Sequence, residues 1–357
     1  MEKTKKKRGF VKALRGVLIG VAAVILILVL AFLALTLTEY KPKDVEKMDP
    51  PVGTDSLALG RELTIVSFNT GYAALGENAD FFMDGGKTTM PENKEEVETN
   101  IAGISKTLQS LGADIYMLQE VDTDSKRSFH INEAEAYSKA LDLPNSYALN
   151  YSSAFVPFPV SSMMGKVNSG LATYTGLAVS DAERIQLPIP FSWPVRCFNL
   201  KRCLLIDRIP IDGSDKELVI INLHLEAYDS GEGKIAQTKM LYDLLSAEYE
   251  KGNYVIAGGD FNQTFPGAYY YEPLKEGNWM PGTLENDLPE GFKFVFDDSK
   301  PTCRLLDVPY KGNPAPQYYI IDGFIVSENV SVSSVEVVST DFVNSDHQPV
   351  KLVITLN

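Results

Sequence analysis

The chain has 357 residues and a formal net charge of −14, a length that accommodates one large domain or two ordinary ones. The charge is unevenly spread: residues 1–15 carry seven basic side chains against the single acid Glu2, leaving 26 basic and 46 acidic residues beyond them, a net charge of −20. Three cysteines, Cys197, Cys203 and Cys303, exclude a complete disulfide framework, and no Cys/His spacing suited to structural zinc occurs.

Gly16–Thr38 is an uncharged run of 23 residues dominated by Leu, Val, Ile and Ala. As a helix at ~1.5 Å per residue it spans ~35 Å, enough to cross a ~30 Å hydrocarbon core. It is longer than the apolar core of a cleaved leader, and no small-residue cleavage site follows it. The expected arrangement is a basic cytoplasmic tail over 1–15, a retained transmembrane helix over 16–38 and an extracytoplasmic remainder by the positive-inside rule. Residues 39–61, with Pro42, Pro50 and Pro51 among mixed charges, read as an extended stalk, and 62–357 as the folded domain.

Within that domain strand-like and helix-like patterns alternate. Leu63–Phe68 is a β-rich run. Asn93 and Glu96 make a capping-box start to a helix that carries Val97, Ile101, Ile104, Leu108 and Leu111 and stops at Gly112. Further strands are expected at 114–120, 204–211, 218–223, 254–257, 319–326 and 350–356. A later helix is expected at 235–249, with Ile235, Leu241, Leu244 and Leu245 on its apolar side. Residues 72–92, 152–169 and 264–316 read as long irregular segments, which in compact domains tend to carry function. Cys197 and Cys203 either face each other across a hairpin or are small buried hydrophobes.

The strands end in polar residues. Phe68-Asn69-Thr70, Leu118-Gln119-Glu120, Asn222-Leu223-His224, Gly258-Gly259-Asp260-Phe261-Asn262, Ile321-Asp322-Gly323 and Ser345-Asp346-His347 form the series. Singly, each has an ordinary reading: Gly-Gly-Asp as a turn, Asp322 as a partner for a core arginine, a histidine as a satisfied structural residue. Jointly they crowd carboxylates at one place, and like charges that close together take up protons or demand a cation. A hard divalent ion held by oxygen donors, Mg²⁺ or Mn²⁺, resolves the conflict.

Through these six motifs, in order over roughly residues 62–356, the sequence resembles the endonuclease/exonuclease/phosphatase superfamily with its deoxyribonuclease I-like fold. The resemblance implies an α/β (α+β) four-layer α/β/β/α sandwich, with two packed, mostly antiparallel sheets between helices and the site at the sheet ends. It implies a metal site of Glu120, Asn69 and Asp346, with Asp260 and Asn262 contacting the scissile phosphate and positioning the nucleophile. It makes His347 the catalytic histidine, oriented by Asp322, and His224 a second histidine that binds or protonates the phosphate. Lys166, Asn168 and Arg304 are expected either to hold a substrate phosphate or to be surface ion-pair partners, and His130 is expected to be an exposed loop residue.

The superfamily covers nucleic acids, lipids and small phosphoesters, so fold alone does not choose the substrate. A domain of net −20 with no basic run beyond the membrane segment argues against tight duplex binding. The leading expectation is a membrane-anchored, metal-dependent phosphodiesterase or phosphatase acting on a small or lipid phosphoester. The rivals are a surface nuclease and a non-catalytic binding protein on the same fold.

Overall fold

The computed structural model describes residues 2–229 and 231–357. The first element, α1 (Glu2–Leu37), contains a stretch, Gly9–Leu37, long and apolar enough to cross a membrane. Its apolar side chains are left exposed by the rest of the chain.

Two sheets follow. One has seven strands: β1 (Val45–Met48), β6 (Asp181–Gln186), β7 (Cys203–Pro210), β8 (Glu217–His224), β9 (Tyr254–Asp260), β11 (Asp322–Ser327) and β10 (Phe292–Val295), in that spatial order. The other has six: β12 (Val330–Val337), β13 (Val350–Leu356), β2 (Glu62–Asn69), β3 (Ile115–Asp122), β5 (Gly165–Thr175) and β4 (Asn145–Val156). Pairing is antiparallel except for β2 with β3 and β8 with β9. A parallel neighbour requires a crossover, and α2 (Lys94–Leu111) and α4 (Glu232–Glu250) are those two crossovers.

The alternation of side chains along each strand assigns the layers. Leu63 and Ile65, Leu218 and Ile220, Ile256, Phe324, Leu352 and Ile354 meet between the sheets. The opposite faces are covered by helices. Val66, Phe68, Tyr116 and Leu118 pack against Val97, Ile104 and Leu108 of α2 and Tyr137 of α3 (Glu133–Leu141). Val219, Ile221, Val255 and Ile325 pack against Leu241 and Leu245 of α4. This is the expected four-layer arrangement.

Several local expectations need correction. Residues 39–61 do not stand away as a stalk: β1 is an edge strand paired with β6, and Leu57 is buried in the inter-sheet core. The prolines forbid helix there but leave edge pairing open. The 152–169 segment is mostly a long hairpin, with β4 and β5 in register from Asn145↔Tyr174 to Val156↔Gly165; its polar, bulged strands hide the period-2 signal. Ile235 is exposed, and the buried face of α4 is set by Leu241 and Leu245. The three cysteines are free and buried.

Two polar devices sit between the sheets. Gln119 Nε2 donates to Asn222 Oδ1 at 2.8 Å, and Asn222 Nδ2 donates to the carbonyls of Leu118 and Ala172 at 3.1 Å each. This bridge joins β8 of one sheet to β3 and β5 of the other, with Gln119 level with Asn69 and Asn222 two residues before His224. Asn222→Ala is expected to destabilise the fold by about 1–3 kcal/mol, because buried partners lose their hydrogen bonds. Urea unfolding measures this, and an unchanged midpoint would refute the bridge's structural role.

Nearer the other end, Asp207 is buried, with Oδ2 accepting from Ser146 Oγ at 2.9 Å and Oδ1 unpartnered. Burial pushes its carboxyl from 3.8 up to about 7, against the opposing hydrogen bond of Ser146. A pKa raised in the folded state gives a contribution fully present below about pH 4 and lost as pH rises through about 7. Asp207→Asn is therefore expected to raise the melting temperature at pH 8 more than at pH 4. Equal shifts at the two pH values would contradict this assignment.

Candidate active site

The same alternation that buries Leu63 and Ile65 carries Asn69 to the inter-sheet side at the end of β2, and Leu218 and Ile220 do so for His224. In β9 and β11 it does the same for Asp260 and Asp322, which sit directly opposite each other, while His224 stands beside Asp260 in the parallel register. Glu120 would fall on the helix side by strict alternation. It instead adopts φ 53° at a bulge between Leu118 and Val121, which turns its side chain into the cleft. A non-glycine residue in that region costs ~1–3 kcal/mol, a strain characteristic of functional positions.

The cluster is tight. His347 Nδ1 lies 2.9 Å from Asp322 Oδ2, and its Nε2 lies 3.7 Å from Asp260 Oδ2 and 4.0 Å from Asp346 Oδ2. His224 Nε2 lies 3.4 Å from Asp260 Oδ2 and 4.0 Å from Glu120 Oε1. Asn69 Nδ2 donates to Asp260 Oδ2 at 3.0 Å and Glu120 Oε1 at 3.2 Å, while Asn69 Oδ1 accepts from the Gly71 amide. As arranged, Asn69 thus meets the carboxylates with its nitrogen; ligation through its oxygen would need the amide turned over. Asp260 Oδ1 accepts from the Asn262 amide at 2.8 Å, and Asn262 Nδ2 is tied to the Leu225 carbonyl.

Two glycines are required for this closeness. Gly71 has φ +55°, and a Cβ there would stand 2.8 Å from Asp346 Oδ1. At Gly259 a Cβ would meet the Leu223 carbonyl oxygen at 1.9 Å, which explains the second glycine of Gly-Gly-Asp.

Burial and charge separate the two histidines. Burial resists protonation of His347, but the carboxylate of Asp322, with that of Asp260, overrides it and raises the imidazole well above its ordinary value. His224 is driven well below its ordinary value by burial, and then by Arg202, His347 and Arg127. Burial lifts Asp260 to about 7, with His347 opposing and Asp322 adding. It lifts Asp346 to about 6, with His347 opposing and Glu120 adding. The two imidazoles are therefore pushed in opposite directions, His347 toward its charged form and His224 toward its neutral form.

The residues present fit a hard divalent cation. Glu120 and Asp346 both line the cleft with carboxyl oxygens, and the burial and the Glu120 charge that raise Asp346 are what a cation would offset. Cys303, Asp346 and His347 are also mutually close, as are Asp260, Asp322 and His347. Burial pushes the Cys303 thiol up to about 12, so that sulfur stays protonated and is a poor ligand.

Of the sequence-derived residues, Asn69, Glu120, His224, Asp260, Asn262, Asp322, Asp346 and His347 converge. Arg304 lines the same cleft but is committed to the main chain, its Nη2 donating to the carbonyls of Gly76 at 2.8 Å and Leu75 at 3.2 Å. Lys166 and Asn168 lie apart from the cleft. Lys166 pairs with Asp124 on the surface, and Asn168 Oδ1 accepts from Ser152 Oγ. His130 is exposed beside Asp124. Sequence reasoning missed Arg127 and Arg202, which line the cleft paired with Asp122 and Glu226. Glu226 lies only two residues past His224; for Arg127 no local signal exists.

Comparison with solved structures places the fold. An endonuclease/exonuclease/phosphatase from Beutenbergia cavernae aligns with a TM-score of 0.56 at 16% identity, over 83% of this chain and 72% of that one. ANGEL2, described as a 2′,3′-cyclic phosphatase and solved with adenosine-2′,3′-vanadate, aligns with a TM-score of 0.54 at 14% identity, over 89% and 99%. TDP2 from C. elegans aligns with a TM-score of 0.50 at 17% identity, over 84% and 77%. A search of curated proteins found no match. The model of the endonuclease/exonuclease/phosphatase family matches residues 66–347, from β2 to His347 before β13. On that match, which covers over three quarters of its length, the chain belongs to the endonuclease/exonuclease/phosphatase family of phosphoester hydrolases.

Proposed function

We propose that this hydrolase is a membrane-anchored, Mg²⁺- or Mn²⁺-dependent phosphodiesterase or phosphatase whose domain lies outside the cytoplasm and acts on a small or lipid phosphoester. The observation that carries the chemistry is the convergence of two imidazoles, 3.4 and 3.7 Å from one Asp260 oxygen, in a cleft also lined by Glu120 and Asp346. His347, held charged by Asp322, presents its Nε2 proton to the cleft, where it can stabilise or protonate a phosphoryl or leaving oxygen. Neutral His224 offers a donor or acceptor on the other side. Asp260, clamped by the Asn262 amide and poised near neutrality, is placed to orient the attacking water and accept its proton. Glu120 and Asp346 would hold the cation, which when bound neutralises charge on the phosphoryl oxygens.

Anchoring is supported by Gly9–Leu37, and the outward orientation by the basic N-terminal tail. The acidic remainder disfavours nucleic acid. The test uses the full chain in detergent with Mg²⁺, assayed side by side on bis-(p-nitrophenyl) phosphate, p-nitrophenyl phosphate, plasmid DNA and mixed phospholipid. Metal-dependent turnover of the small or lipid esters is expected. Plasmid cleavage as the dominant activity would overturn the substrate assignment.

A further inference from the structure

The cleft over the histidines is larger than a phosphate needs, about 490 Å³. Glu120, His224, Asp260, Asp346 and His347 supply its clustered polar groups. The rest of the lining includes Phe82, Phe158, Met164, Phe191, Val195 and Phe198, of which Phe82, Met164 and Phe198 belong to one apolar cluster. Three cations also line it: Arg127 and Arg202, already bonded to Asp122 at 2.9 Å and Glu226 at 3.3 Å, and Arg304, which donates to the main-chain carbonyls of Gly76 and Leu75. A second anionic group would compete with those partners, whereas an apolar chain would find apolar neighbours along the rest of the wall.

The apolar part of the lining meets the foot of α1. Trp193 Nε1 donates to Thr36 Oγ1 at 3.1 Å, and its ring lies 5.9 Å from Phe32. Arg196 bonds Glu39 at 2.8 Å, just beyond the helix end. The same 191–198 segment touches the tip of the β4–β5 hairpin through Phe158 and Phe198, 5.6 Å apart. Around this lip Val160 is 74% exposed, Trp193 54%, Phe158 46%, Phe155 44% and Val195 42%. An apolar rim at the end of a membrane-length helix, with a tryptophan among it, has the composition of a bilayer interface.

We infer that the substrate is a phospholipid of the leaflet adjoining the domain, entering past the 155–160 and 191–198 lip with its phosphate at the histidines and its acyl-bearing part along the Phe/Met wall. This rests on the membrane-anchored phosphoesterase reading above and names its substrate class. In the reaction water oxygen bonds to phosphorus, one P–O ester bond breaks, and the departing oxygen takes up a proton. The products are a phosphomonoester and an alcohol, one of which stays in the bilayer.

The test places the full chain in vesicles of phosphatidylcholine, phosphatidylethanolamine and phosphatidylglycerol with Mg²⁺, with bis-(p-nitrophenyl) phosphate as a soluble reference. In Phe155→Ser/Val160→Ser/Trp193→Ser, the ratio of lipid turnover to soluble-ester turnover is expected to fall about tenfold or more. An unchanged ratio would overturn the inference. A second measurement needs no variant. With monomeric short-chain phosphatidylcholines, kcat/KM of the unaltered chain should rise about fourfold per buried methylene, and a flat series would overturn the inference. Soluble-ester turnover with vesicle lipid untouched defeats the lipid assignment and leaves the phosphoesterase reading standing, as does preference for a single-stranded oligonucleotide. No metal-dependent turnover of any substrate defeats the reading beneath it.

Discussion

Replacing His347 with alanine is expected to lower kcat for bis-(p-nitrophenyl) phosphate by about 10³-fold, the scale of a lost proton donor at the reacting phosphate. It should also destabilise the domain. Asp322 is buried opposite Asp260, and its ion partner at 2.9 Å is the histidine ring. Stranding a buried charge in this way costs ~3–5 kcal/mol. The two effects separate in His347→Ala/Asp322→Asn, where the buried carboxylate is gone as well. The double variant should regain most of the lost melting temperature and none of the lost activity. Recovery of activity with stability would mean that His347 serves packing alone.

The second large effect is expected at Glu120. Glu120→Gln keeps the side-chain shape and the backbone at φ 53° but removes the carboxylate that shares the cleft with Asp346. Turnover should fall by about 10³-fold, reflecting several kcal/mol of charge stabilisation lost with the metal. Thermal stability without metal should not fall, because a like charge beside Asp346 has been removed. Calorimetric titration with Mg²⁺ supplies the independent readout: weakened binding in the variant is expected. Full affinity with low activity would assign Glu120 to the chemistry and the metal to other residues.

The strand ends were legible because buried β-runs stop abruptly at polar residues, and period-2 alternation fixes which of those residues face the core. That logic places Asn69, His224, Asp260 and Asp322 from sequence. Glu120 obeys it only through the bulge at Leu118/Val121, which no periodicity announces. The capping of α2 was equally local: Asn93 accepts from the Glu96 amide, and Gly112 takes the left-handed conformation. What stayed hidden is long-range. Arg127 reads as a loop residue until Asp122 and the Tyr72 ring, 3.5 Å from its guanidinium, are folded around it. The edge strand β1 carries only Val45 and Met48 as apolar residues and does not advertise itself as sheet, whereas β12 alternates valine with polar residues except where the bulge between Val332 and Ser334 breaks the period. Lys166 and Asn168 failed for the same reason: the strand that carries them turns them away from the cleft.

The most direct measurement is the metal dependence of bis-(p-nitrophenyl) phosphate hydrolysis by the full chain in detergent, alongside His347→Ala/Asp322→Asn. A metal- and histidine-dependent phosphoesterase requires that EDTA abolish turnover, that Mg²⁺ or Mn²⁺ restore it, and that the double variant remain inactive under both conditions. Turnover that persists in EDTA, or that survives in the folded double variant, would contradict the assignment of this strand-end cluster as the catalytic centre.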